Sequence, residues 1–117
     1  MASTKKIEKK SEHIEEEVDY SLNDLLLRGR VSAPATTKEL PSGDKVVEFR
    51  IIVGRDDREG YDTFDVALWS SILRKRGVSL KSDEWVEITG TLRRRFWKAG
   101  AISVSRWQVE AAEISRI

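Results

Sequence analysis

Thr63-Phe64-Asp65-Val66-Ala67-Leu68-Trp69 is followed directly by Ser70-Ser71-Ile72-Leu73-Arg74-Lys75-Arg76-Gly77, and the apolar period changes between the two. In the first part Phe64, Val66 and Leu68 alternate with Thr63, Asp65, Ala67 and Trp69, which is a strand with one core face. In the second the alternation stops. Ser70 or Ser71 can cap a helix start, Ile72 and Leu73 supply its buried side, and Gly77 suits its end. The sequence therefore predicts a strand that turns straight into one short helix.

Working outward, the flanks read as more strands separated by turn residues. Leu25–Val31 is a first strand. Ser32–Asp44, with Pro34, Pro41 and Ser42-Gly43-Asp44, reads as tight turns. Val46–Val53 is a second strand with Val47, Phe49, Ile51 and Val53 inward and Glu48 and Arg50 outward. Gly54–Gly60 is a turn carrying the adjacent Asp56 and Asp57. After the helix, Glu84–Arg95 alternates again, with Val86, Ile88 and Leu92 inward and Gly90 where the strand must bend. Lys98–Gly100 marks a turn before a last strand, Ser103–Ile114. Five strands with a helix between the third and fourth is the order of an all-β oligonucleotide-binding (OB) barrel. The barrel is expected over residues 22–117.

Residues 1–21 differ in texture. Glu8, Glu12, Glu15, Glu16, Glu17 and Asp19 outnumber Lys5, Lys6, Lys9 and Lys10, and Ile7, Ile14 and Val18 are its few aliphatic side chains. Ordering such a segment gains little burial against the backbone entropy lost, so an acidic, disordered arm is expected. The formal net charge of +1 conceals this arm and a basic counterpart. Between Trp69 and Lys98, Arg74, Lys75, Arg76, Lys81, Arg93, Arg94, Arg95 and Lys98 face Asp83, Glu84 and Glu87, and it is such local fields that attract polyanions.

Composition excludes several classes of function. The chain has no cysteine, so disulfides, thiolate catalysis and cysteine-held zinc are out, and a reducing cytoplasm suits it. No apolar run approaches the length of a signal core or a membrane span. The single His13 lies in the charged arm, Asp56 and Asp57 suit a turn, and no glycine-rich phosphate loop is present. No catalytic residue, metal, cofactor or small-molecule substrate is expected.

The candidate site is Leu92-Arg93-Arg94-Arg95-Phe96-Trp97-Lys98. On a strand Arg93, Arg95 and Trp97 share one face, and Arg94 and Phe96 share the other. Guanidiniums bind phosphate oxygens, and an indole stacks on any base for about 1–3 kcal/mol whatever its identity. Trp69, on the polar side of its strand, is a second platform or an interface anchor, with Asp65 beside it as an electrostatic liability. Arg30, Arg50 and Arg55 are secondary candidates for a phosphate track. Trp85 and Trp107 sit among apolar neighbours and are expected in the core, ahead of a subunit contact.

These residues resemble the bacterial single-stranded DNA-binding protein family, particularly its actinobacterial members. The resemblance runs through Asn23–Val31, Leu40-Pro41-Ser42-Gly43, Phe49-Arg50-Ile51, Phe64–Trp69, Val86-Glu87-Ile88-Thr89-Gly90 and Leu92–Trp97, in the family's order and roughly its spacing. It implies an OB barrel that assembles into a homotetramer, in preference to a dimer, and wraps single-stranded DNA in replication, recombination or repair. It also implies stacking roles for Trp69 and Trp97 and a cytoplasmic, nucleoid-associated location. Two further stacking positions have no counterpart: Thr63 stands at one, and Arg55–Arg58 lacks the other. The family's flexible acidic-tipped tail is expected to be missing after Ile117. A protein-interaction adaptor and an RNA-binding barrel remain as alternatives, since stacking and phosphate contacts serve RNA equally.

Overall fold

The computed structural model describes residues 17–117, so most of the expected arm lies outside the described residues. Six strands and one helix follow in order: β1 (Leu25–Val31), β2 (Thr36–Glu39), β3 (Lys45–Gly54), β4 (Tyr61–Leu68), α1 (Ser71–Val78), β5 (Trp85–Ala99) and β6 (Ile102–Arg116). The sheet runs β1-β5-β6-β4-β3-β2, and β1 also pairs with β3 through Arg30–Ile52 and Val31–Ile51. That last pairing closes β1, β5, β6, β4 and β3 into a barrel. The architecture is the expected OB fold, with the helix between the third and fourth barrel strands.

The periodicity that predicts the strands also builds the core. Val31, Val47, Ile51, Val66, Leu68, Val86, Ile88 and Val109 are shut away from solvent inside the barrel, and Phe49 and Ile114 join them. Ser70 caps α1, its hydroxyl accepting from the Leu73 amide at 3.2 Å. At Gly90 the β5–β6 register shifts, and a Cβ there would press on the backbone of Glu110 and Ala111, whose Cα lies 2.9 Å away. The strand bends where the sequence demands a residue without a side chain.

Five expectations need correction. The stretch read as turns holds β2, which pairs with β3 outside the closed barrel; Thr36-Thr37-Lys38-Glu39 is exposed throughout, so no apolar alternation marks it. Gly77 lies within α1, not beyond it, and Ser79 is the C-cap. A Cβ at Gly77 would collide with Leu68 and Val47, so the glycine serves close helix-to-barrel packing. Ile72 points to solvent, because eight residues of helix bury one narrow stripe, taken by Leu73 and Gly77. The turn expected at Lys98–Gly100 falls at Gly100-Ala101, leaving Lys98 in β5. Trp85 and Trp107 are exposed, not in the core. Trp85 alternates with the inward Val86, whereas Trp107 shares the side of the buried Val109 but lies where β6 has run past the barrel, opposite Arg94, which apolar neighbours in sequence do not reveal.

Candidate nucleic-acid interface

β5 is too long for the barrel. It pairs with β1 only from Trp85 to Gly90, and at Leu92 the side chain of Asn23 takes over. The Asn23 amide donates to the Leu92 carbonyl at 2.7 Å, and its oxygen accepts from the Leu92 N–H at 2.8 Å. Beyond that point β5 pairs with β6 alone, from Arg93–Gln108 to Ala99–Ile102. The two strands project as a ribbon closed by Gly100, whose φ of +68° is the left-handed turn conformation glycine adopts without strain.

The ribbon's outer face continues the outer face of the barrel. Residues opposite one another in register share a side, so Arg93, Arg95 and Trp97 join Gln108, Arg106 and Val104 of β6. Next in the sheet come Asp65 and Trp69 from β4 and its end, then Glu48 and Arg50 from β3. Two indoles on this face carry a guanidinium: Arg95 lies 4.8 Å from the Trp69 ring and Arg106 5.7 Å from that of Trp97. A guanidinium stacked in this way keeps its in-plane N–H donors for other acceptors. A groove of about 470 Å³ runs between Trp69 and Arg93, past Thr91 and Glu110. A second, of about 270 Å³, is lined by Arg50, Asp65, Arg106 and Gln108.

Charge pairing ranks the arginines. Arg93 holds Glu110 at 3.1 Å. Asp65 is compensated twice, by Arg50 at 2.9 Å and Arg106 at 3.8 Å, so its charge does not stand open to an approaching phosphate. Among the described residues Arg95 has no carboxylate partner. It donates to Gln108 Oε1 at 3.2 Å, and the buried Gln108 donates in turn to Glu48 at 2.8 Å, which also meets Lys38. The amide orients Arg95 without neutralising it.

Of the residues singled out in the sequence, the structure brings Trp69, Arg93, Arg95, Trp97 and Arg50 together on one face. Lys98 falls on the opposite face of the ribbon. Arg30 stands at the other end of β5, beside Trp85 at 6.0 Å and paired with Asp83 at 3.0 Å. The rise of eight strand residues, roughly 26 Å, separates it from the ribbon. Arg55 lies in the β3–β4 turn, where the hydrogen bond and charge of Asp62 raise its pKa above the usual arginine value. The concavity beside it, about 580 Å³, is lined by three aspartates and two arginines and offers a polyanion little net attraction. Arg106 and Gln108 are absent from the sequence reading. The signal for both is the two-residue turn, which pairs Ala99 with Ile102 and so sets Arg106 opposite Arg95.

No protein-family model matches the chain, and no curated protein resembles it in sequence. Among solved structures, the fold is similar to that of a Plasmodium falciparum SSB in complex with ssDNA. The two share 20% identity over 86% of this chain and 99% of that one, with a TM-score of 0.66. The likeness is one of fold. Within that fold, the Trp69–Arg95 and Trp97–Arg106 stacks are features of this barrel's own side chains.

Proposed function

We propose that this protein binds and protects single-stranded DNA without reading its sequence. The observation that carries the reading is Arg95, uncompensated by any carboxylate of the described residues and laid on the Trp69 ring, with Trp97 and Arg106 beside it on the same open face. Bases stack on the indoles while the guanidiniums meet phosphates, and neither contact depends on base identity. The similarity of fold to an SSB in complex with ssDNA supports this. The protein acts as a non-enzymatic binder in replication, recombination or repair, in the cytoplasm and on the nucleoid. It assembles as a homotetramer, for which the exposed Leu26 and Trp85 on the outer face of β1 and β5 supply apolar contact surface.

The test is a tryptophan-fluorescence titration with oligo-dT, oligo-rU and duplex DNA at several salt concentrations. Strong quenching by oligo-dT, weaker by duplex, is expected. Preference for oligo-rU would convert the reading to RNA, and no quenching by any of the three would favour a protein adaptor.

A further inference from the structure

The far face of the ribbon repeats the chemistry of the outer one with different residues. Register places Arg94, Phe96 and Lys98 of β5 opposite Trp107, Ser105 and Ser103 of β6. Arg94 lies between two rings, 5.4 Å from Phe96 and 5.5 Å from Trp107, and donates to the Ser105 hydroxyl at 3.0 and 3.1 Å. Phe96 is 67% exposed and Trp107 55% exposed, more than Trp97 at 44%. Like Arg95, Arg94 makes no ion pair among the described residues, in contrast to Arg93 and Arg106 on the outer face. These six positions carry two cations and no carboxylate.

We infer that Arg94, Phe96 and Trp107 form a second base-stacking station, so that one nucleic-acid strand held on the outer face crosses the ribbon and continues on its far side. This rests on the reading of the outer face as a single-strand site. The composition favours nucleic acid over a protein partner: the six positions offer rings, cations and hydroxyls but no aliphatic side chain, whereas the centre of a protein contact is depleted of charge. The crossing is open, because beyond Leu92 no strand of the described residues lies against that edge of β5.

The test compares two lengths of oligo-dT, one of about 6 nucleotides and one of about 20, bracketing the site size of an OB fold. The double variant Phe96→Thr/Trp107→Thr keeps strand-forming residues at both positions. It is expected to bind the short strand as the unaltered protein does and the long strand at least about five-fold more weakly, with Trp107→Phe recovering part of the loss. Trp97→Ala is expected to weaken both lengths. Unchanged affinity for the long strand, or an equal loss at both lengths, overturns the second station while leaving the outer site in place. A shift in mass by light scattering for the double variant also overturns it, assigning the face to contact between copies. Failure of the unaltered protein to bind either length overturns both readings together.

Discussion

The two halves of β5 obey different rules. From Trp85 to Leu92 the strand is flanked by β6 on one side and by β1, then the Asn23 side chain, on the other, and its inward side chains, Val86 and Ile88, are fully buried. From Arg93 to Ala99 it is flanked by β6 alone and buries neither face. The first half has its residue types set by the core. The second is under no such demand, yet it holds three arginines together with Phe96 and Trp97, two rings left exposed to water. Where the fold asks for nothing, the composition reports function.

The widest separation between the halves comes from truncating one residue in each. Ile88→Ala should lower unfolding free energy by about 2–5 kcal/mol, read from denaturant melts, while the folded fraction binds oligo-dT normally. Trp97→Ala should do the reverse, leaving stability within about 1 kcal/mol and costing about 1–3 kcal/mol of affinity. A destabilised Trp97→Ala whose folded fraction binds normally would erase the distinction. A finer division lies within the ribbon. Arg95→Ala should flatten the dependence of log affinity on log salt by about 0.7, one phosphate contact, whereas Arg93→Ala should change it less because Glu110 already shares that charge. Equal slopes for the two variants would show that the ion pair is irrelevant to binding.

The smallest effect belongs to the barrel end. Arg116 donates to the Glu84 carboxylate, and the Lys81 amide adds a hydrogen bond at 2.8 Å, holding the carboxyl below its ordinary 4.5. A depressed carboxylate contributes stability that is present above its unfolded pKa and lost as pH falls through the lower folded one. Glu84→Gln should therefore be slightly less stable than the unaltered protein at neutral pH, the gap narrowing below about pH 4.5. A gap that widens in acid would reverse the sign of the argument. Binding should not change.

The sequence made the barrel legible wherever a local rule applied. A short apolar run ahead of turn residues marks β1 at Leu25–Val31, the serine after Trp69 caps the helix, and Gly90 marks the bend. Period two likewise separates Arg93, Arg95 and Trp97 from Arg94 and Phe96. What escaped depends on partners distant in the chain. β2 exists because β3 offers it an edge, Trp85 is exposed because the core lies on the other side of its strand, and Trp107 because its stretch of β6 pairs with β5 beyond the barrel. Arg106 faces Arg95, and Asp65 is neutralised, through pairings that no single stretch contains.

The Asn23 side chain, clipped to Leu92 in the manner of one more strand residue, has a consequence for how solvent reaches β5. Up to that clip the strand has neighbours on both sides, so its amides are shielded in succession. Past it, an antiparallel ribbon shields only every second amide and turns the rest outward. Deuterium uptake should therefore change along this one strand from uniform protection to an alternating pattern, with the step at Leu92 marking where the barrel hands the chain over to the solvent.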